Sequence, residues 1–123
     1  MEVILDTNFI ISCIRKKIDF LEQLEGQGFK VVVPREVFEE LKDLKKRPGE
    51  SHQDREAIDI AMKMFEQNKV KKMKLGGYKV DDMLISYGKK GAYIATLDNG
   101  IKRNIPNKVI INNSKKSVEV LRD

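Results

Sequence analysis

Short runs of consecutive apolar residues alternate along this chain with longer segments in which apolar residues recur every three or four positions. Runs of the first kind, bounded by polar or turn-forming residues, predict buried strands, and the second pattern predicts helices. The predicted strands cover residues 3–5, 29–33, 70–75, 93–97 and 109–111. Because predicted helices separate these strands, the pattern favours an α/β fold with a parallel sheet.

Several predicted helices carry recognisable start signals. Pro34 suits the first turn of a helix over residues 34–46. Ser51, with Asp54 three positions later, resembles a capping box that opens the next helix. Residues 114–123 form a polar tail that either packs on the sheet or trails free.

The composition indicates a single domain spanning residues 1–123. No apolar run approaches the roughly 18 residues needed to span a bilayer, and the first residues lack the layout of a signal peptide. The single cysteine, Cys13, excludes an internal disulfide and fits a reducing compartment. We therefore expect a cytoplasmic protein with no membrane association.

The formal net charge of +5 and the pI near 9.3 make a polyanionic partner plausible. Most basic runs in proteins are simply solvated, but here they flank the acidic residues described below, which favours a nucleic acid. The clusters lie at residues 15–17, 45–47, 69–74, 89–90, 102–103 and 115–116.

Two predicted strands run directly into an aspartate, Asp6 and Asp98. Ligands of open parallel sheets bind outside the carboxyl ends of the strands, so both aspartates lie where a site is expected. Each also has a purely structural interpretation. Asp6 could cap the first helix, and Asp98 could open a hairpin turn, since it is followed by Asn99-Gly100.

Two further acids belong to predicted helices. At 100° per residue, Glu40 lies nearest to the apolar stripe of its helix, whereas Glu36 and Glu39 suit a solvated face. Asp82, next to Asp81, begins a later helix; adjacent acids at that position can also serve as caps or interact with the helix dipole. These acids can face the same edge of the sheet as the two strand-end aspartates.

Several carboxylates cannot stay ionised at close range unless a cation neutralises them. With one cysteine and one histidine in the chain, the available ligands are oxygens, which select Mg²⁺ or Mn²⁺. Such ions beside a basic surface suit phosphodiester hydrolysis. Other phosphate chemistry fits less well, because the chain lacks both GxxxxGK[ST] and a GxGxxG after a strand, and a response regulator needs two acids at its first strand.

The ordered motifs resemble the PIN domain family over nearly the whole chain. The opening Leu5-Asp6-Thr7-Asn8-Phe9, the Val37-Phe38-Glu39-Glu40-Leu41 segment, Asp82-Met83-Leu84-Ile85 and Thr96-Leu97-Asp98 each match a family motif, in the family's order. The resemblance is closest to the Fcf1-like branch of ribosomal-RNA processing. The stand-alone length is also similar to that of VapC-type toxins of toxin–antitoxin pairs.

This resemblance implies a three-layer α/β/α domain with a central parallel sheet of about five strands. It implies a metal-dependent endoribonuclease in which four acids hold one or two Mg²⁺ or Mn²⁺ ions. The implied metal ligands and catalytic residues are Asp6, Glu40, Asp82 and Asp98. Asn8 and Thr96 would orient them, with Asp81 as a supporting or alternative acid. Arg15, Lys16, Lys102 and Arg103 would bind RNA phosphates.

Two other functions stay open at this point. One is a toxin ribonuclease held by an antitoxin, and the other is a nuclease-silent module for RNA binding or assembly. The resemblance also suggests a homodimer and a protein partner, either an antitoxin or a ribosome-assembly factor.

Overall fold

A computed structural model describes residues 1–122 of the protein. The strands are β1 (Glu2–Leu5), β2 (Lys30–Pro34), β3 (Lys71–Met73), β4 (Tyr93–Ala95), β5 (Lys108–Asn112) and β6 (Ser117–Leu121). The helices are α1 (Thr7–Arg15), α2 (Phe20–Gly26), α3 (Arg35–Lys46), α4 (His52–Gln67), α5 (Val80–Lys89) and α6 (Asn99–Lys102). None of the helices within residues 1–122 has the length and apolar character needed to cross a membrane.

The strands form one sheet in the order β3-β2-β1-β4-β5-β6. The first five strands in this order pair in parallel, which confirms the predicted parallel sheet. β6 is the exception, because it pairs antiparallel with β5. The tail predicted from residue 114 therefore packs on the sheet as a sixth strand, and its Val118 is buried.

Alternation along the strands divides the apolar residues between two cores, one on each face of the sheet. Val3 and Leu5 face the core formed with α1, α2, α3 and α4. Ile4 and Ile94 face a smaller core with Leu84 of α5 and Ile101 of α6. The protein is thus a three-layer α/β/α domain, as the sequence resemblance implies.

The distance between the first turn of α5 and the sheet depends on a close contact near the end of this helix. Gly88 packs so tightly that a Cβ atom there would lie 2.3 Å from Ile105 Cγ2 and 3.3 Å from Ile94 Cγ1. Only a residue without a side chain lets the helix approach β4 this closely. This contact sets the distance of α5, and therefore of its acidic first turn, from the sheet.

β3 forms one edge of the sheet and is only three residues long. Lys71 Nζ lies 2.8 Å from Glu2 Oε2, and Lys72 Nζ lies 4.7 Å above the ring of Phe38. The predicted half-exposed strand in this region is confirmed, although it is shorter than residues 70–75.

The predicted start of α4 is confirmed, since Ser51 Oγ accepts a hydrogen bond from Asp54 N at 3.0 Å. Pro34 differs from its predicted place, because it is the last residue of β2 and precedes the first turn of α3 as the cap residue. Its backbone is extended there, and its nitrogen needs no hydrogen-bond partner at that position.

Candidate functional site

Asp6 lies immediately after β1 and connects two elements through its carboxylate. Its Oδ1 accepts a hydrogen bond from Thr7 N at 2.9 Å, which caps α1. Its Oδ2 accepts a hydrogen bond from Thr96 Oγ1 at 2.8 Å, across from the end of β4. Asp6 is therefore a helix cap whose other oxygen is held at the carboxyl end of the neighbouring strand.

Thr96 also holds Asp98. The fully buried Thr96 hydroxyl accepts a hydrogen bond from Asp98 N at 3.1 Å while donating to Asp6. Asp98 Oδ1 accepts from Ile101 N at 3.0 Å and caps α6. The hairpin interpretation of Asp98-Asn99-Gly100 is therefore wrong, because a helix begins there. Thr96 occupies the supporting position that the sequence resemblance implies.

The pKa of Asp6 depends on its burial, its hydrogen bonds and the charges of two other acids. Burial raises this pKa above its ordinary value, the hydrogen bonds from Thr96 and Thr7 oppose the rise, and the negative charges of Asp81 and Glu40 add to it. The carboxylates of α3 and α5 are therefore close enough to Asp6 to interact electrostatically with it.

On α5, Asp81 rather than Asp82 interacts with the strand-end acids. Burial raises the pKa of Asp81, the charges of Asp98 and Asp82 raise it further, and Lys79 opposes them. At about 100° per residue, Asp81 lies within about 20° of Gly88, which is buried against β4, whereas Asp82 is about 120° away. Both acids are exposed, so the helical angle, and not burial, makes Asp81 a stronger candidate than Asp82, the acid predicted from the sequence.

The acids of α3 separate into distinct roles. Glu40 is exposed and lines a groove of about 530 Å³ together with Lys74. Glu39 pairs with Lys42 at 3.4 Å, as expected for a surface acid. Glu36 was expected to be a solvated acid as well, but its two carboxylate oxygens accept hydrogen bonds from Leu75 N and Gly76 N, each at 3.0 Å.

The basic residues predicted to bind RNA lie in two places. Arg15 and Lys16 line a groove of about 550 Å³ that also includes Asn8 and Arg47. Arg15 donates to Asp54 Oδ1 at 3.0 Å, so its guanidinium is partly neutralised. Lys102 and Arg103 lie at the end of α6. Arg47 is a further cation of the groove, and sequence reasoning did not single it out.

Asn8 lies in this groove, and within residues 1–122 no hydrogen bond joins its side chain to the acids. Its predicted role in orienting them therefore has no support in the geometry. Thr7 Oγ1, by contrast, is a buried hydroxyl next to Asp6 that has no hydrogen-bond partner among the described residues. Thr7 is accordingly a better candidate than Asn8 for a polar contact at the site.

The donor set fits a hard divalent cation, because every ligand atom that the acids offer is an oxygen. No three Asp, Glu, His or Cys side chains in the described part of the chain are close enough together to enclose a metal ion directly. The acids nevertheless interact electrostatically, and all the ligands they offer are oxygens. Mg²⁺ characteristically keeps several waters and takes only one or two carboxylates from the protein. The carboxylates of Asp6 and Asp98, both fixed by caps, suit this kind of binding.

Replacing Thr96 by valine tests the link between these two aspartates. The Thr96→Val variant removes the donor to Asp6 and leaves the amide of Asp98 unsatisfied, so we expect a loss of about 1–3 kcal/mol in the free energy of unfolding. The pKa of Asp6, measured by NMR titration, should rise further because a hydrogen bond that lowers it is lost. Thr96→Ser, which keeps the hydroxyl, should preserve most of both properties. A larger effect of Thr96→Ser than of Thr96→Val would show that the methyl group, and not the hydroxyl, matters.

Comparison with known proteins places this arrangement in a family. The PIN domain endonuclease Utp24 superimposes with a TM-score of 0.72 and 21% identity, covering 99% of this chain and 92% of that one. The PIN domain of human SMG5 superimposes with a TM-score of 0.50 and 14% identity, covering 94% and 95%. At these identities the two structures establish a shared fold. A search of curated proteins found no match.

The family model described as a PIN-like domain matches residues 3–113. This match extends from β1 to the hairpin after β5 and includes all the acids of the candidate site. The match covers most of the chain, and the fold agrees with it. The protein therefore belongs to the PIN-like domain family.

Proposed function

We propose that this protein is a metal-dependent endoribonuclease that hydrolyses RNA phosphodiester bonds. The observation that carries the proposal is the hydrogen-bonded Asp6–Thr96–Asp98 unit, together with the charges of Asp81 and Glu40 that act on it. The proposed ion is Mg²⁺ or Mn²⁺. RNA as the substrate rests on the family resemblance and on the basic charge of the chain.

In this mechanism the protein contributes positioned negative charge. Asp6 and Asp98 would hold the ion, because the helix caps and Thr96 fix their carboxylates in place before it binds. Asp81 and Glu40 would contribute through water, with Asp82 as a further acid in the first turn of α5. When bound, such an ion activates water for attack on phosphorus and stabilises the charge that develops on the phosphate and leaving oxygens.

The groove beside Asn8, which Glu50 and Asp54 line as well as three cations, would bind the RNA backbone. Arg47 and Lys16, together with Arg15, are the cations there, and Lys102 and Arg103 lie beyond Asp98 on α6. Contacts of this kind are made to phosphates and do not read base sequence. Selection of a cleavage site would then depend on RNA structure or on another protein.

Ribosomal-RNA processing, with a ribosome-assembly factor as partner and a cytoplasmic location, is the biological role we propose from the Fcf1-like motifs. A toxin with an antitoxin, and a homodimer, are alternatives based on resemblance alone.

One structural observation favours a second function, that of an RNA-binding module without nuclease activity. Within residues 1–122 the acids are too far apart to enclose an ion directly, and an ion held mainly through water could bind too weakly for catalysis.

The decisive experiment is cleavage of labelled single-stranded and structured RNAs in Mn²⁺, in Mg²⁺ and in a chelator. Cleavage that requires the metal and leaves a 5′-phosphate would support the nuclease. If RNA binds but is not cut with either ion, the binding module becomes the better description.

Metal binding should also appear as thermal stabilisation. At a Mn²⁺ concentration about 100 times its dissociation constant, mass action adds about 2.7 kcal/mol, or roughly 10 °C in Tm for a domain of this size. Asp98→Asn keeps the Oδ1 cap of α6 but removes a charge, so most of this gain should be lost. Glu39→Gln, which changes an exposed acid paired with Lys42, should keep it. A gain in Asp98→Asn as large as in the wild type would place the metal elsewhere.

A further inference from the structure

The segment between β3 and α5, residues 74–79, presents an aromatic side chain to solvent. Tyr78 is fully exposed, and it is the only exposed aromatic residue among residues 1–122. Every phenylalanine is buried, and the other two tyrosines are buried or half-buried. Single exposed apolar side chains are common on protein surfaces, so the argument depends on where the loop holds this ring and not on its exposure alone.

The loop that carries Tyr78 is fixed at both ends. Leu75 is buried, and the amides of Leu75 and Gly76 donate to the Glu36 carboxylate. Gly77 has φ +72°, and a Cβ there would lie 2.4 Å from Met83 Sδ, so the loop packs directly on α5. Tyr78 is therefore presented from a defined position despite its exposure.

The loop contacts both α3 and α5, the two helices that carry acids of the candidate site. Glu36, which holds the first half of the loop, lies one helical turn before Glu40 on α3. Asp81 follows Tyr78 by three residues and interacts with Asp98. Lys74, at the start of the loop, lines the same groove as Glu40. The loop thus lies between the acids of α3 and those of α5.

The residues around the ring match those of nucleic-acid surfaces. Lys74 and Lys79 flank Tyr78 in the loop. Proteins that hold single strands combine cations for the phosphates with aromatic rings on which unpaired bases stack, and this stacking tolerates any base. A base in a duplex is already stacked on both faces and offers no free surface to such a ring.

We propose that Tyr78 stacks on an unpaired base next to the phosphate bound at the acids, so that the protein prefers single-stranded RNA over duplex. This inference rests on the proposed function, because it assumes that RNA occupies the cleft. It adds a residue that selects the form of the substrate. Tyr78 is thereby a positioning residue, since it touches a base and not the reacting phosphate.

A fluorescence experiment tests the contact directly. The chain has no tryptophan, so Tyr78→Trp introduces a single fluorophore at the loop. In a protein that also carries Asp6→Asn to prevent cutting, a single-stranded oligoribonucleotide should quench this emission, whereas a duplex of the same sequence should quench it far less. Ile60→Trp is the matched control, because Ile60 is exposed on α4 in a groove that contains Asp19, Glu22 and Glu25. Its emission should not change.

Affinity measurements provide the second readout. Tyr78→Ala, again with Asp6→Asn, should weaken binding of the single strand by roughly 5- to 150-fold and leave duplex binding nearly unchanged. Tyr78→Phe should restore the affinity, because the ring is kept. Since the side chain is fully exposed, none of these variants should lose the fold, and thermal unfolding checks this.

Three outcomes would overturn the inference: unchanged affinity in Tyr78→Ala, RNA binding without quenching in Tyr78→Trp, or the absence of RNA binding by the wild type. If Tyr78→Ala binds RNA as tightly as the wild type, the ring would instead contact a protein partner. These experiments measure binding and not cleavage. A failure of the nuclease proposal can therefore be distinguished from a failure of the stacking proposal. Quenching and loss of affinity in a protein whose wild type does not cut RNA would support stacking and reject catalysis.

Discussion

Asp6→Asn is expected to reduce RNA cleavage by at least about 100-fold while leaving the fold intact. Replacing groups that merely orient a metal ligand typically costs 10- to 100-fold, so loss of a ligand charge should cost at least as much. The fold should survive because Asn Oδ1 can still accept from Thr7 N, and its amide can donate to the hydroxyl of Thr96. The measurements are cleavage of labelled RNA in Mn²⁺ and thermal unfolding in a chelator.

The pH dependence gives this prediction a second readout. Folding raises the pKa of Asp6, so the ionised carboxylate opposes folding at neutral pH. This penalty disappears below pH 3.8, the ordinary pKa of the group, because the carboxyl is then protonated in both the folded and the unfolded state. Asp6→Asn should therefore be at least as stable as the wild type at pH 7, and its relative advantage should vanish as the pH falls. Since asparagine keeps the cap, unfolding of the variant at pH 7 would show that the fold requires the negative charge of Asp6. Full activity would place the catalytic site elsewhere.

Gly88→Val is expected to give the largest loss of stability of any substitution considered, about 3 kcal/mol in the free energy of unfolding. Even a single methyl group at this position overlaps Ile105 Cγ2, and valine adds two more carbons. The helix can accommodate them only by moving away from β4. That movement would displace Asp81 as well, so cleavage should fall even at temperatures where the variant is folded.

A matched variant separates this steric effect from the change of residue type. Gly26 also ends a helix, its φ is not positive, and a Cβ there would meet nothing within 4 Å. Gly26→Val should change the free energy of unfolding by no more than about 0.5 kcal/mol. Urea unfolding of both variants provides the comparison. Equal losses would mean that the close approach of α5 to the sheet has no special importance.

The parts of the site that the sequence predicts best are those where local pattern and topology agree. Asp6 and Asp98 follow apolar strand runs directly, and parallel strands bring such residues to one edge. Capping and ligand roles appear as alternatives in the sequence. The two roles are compatible, since a carboxylate has two oxygens and the cap uses one of them.

The acids on helices are harder to assign because neighbouring residues differ by about 100° in direction. That angle distinguishes Glu40 from Glu39 on α3, whose apolar stripe is well marked. The same reasoning on α5 selects Asp81, provided that Gly88 is recognised as part of the buried face. A glycine has no hydrophobic side chain to mark that face, and so the sequence favoured Asp82 from its place at the helix start and from the motif.

The role of Glu36 and the strand β6 were not predicted from the sequence, because both depend on hydrogen bonds between distant parts of the chain. Glu36 caps no helix, and its partners, Leu75 N and Gly76 N, lie about forty positions along the chain. β6 looked like a tail because its alternation is short, with Val118 inward and Glu119 outward. These residues form a strand because β5 offers an edge with which they pair. A local sequence pattern contains no information about that edge.

The short β3 strand has a consequence for self-association. An exposed sheet edge is a template on which a second copy of a protein can add its own strand, a route to dimers and to aggregates. In an antiparallel pairing of two β3 edges, Lys71 and Lys72 would meet the same lysines of the other copy, and directly opposed like charges repel. A three-residue edge with two lysines therefore discourages growth of the sheet across molecules. The charge on this edge therefore favours the solubility of the separate molecule.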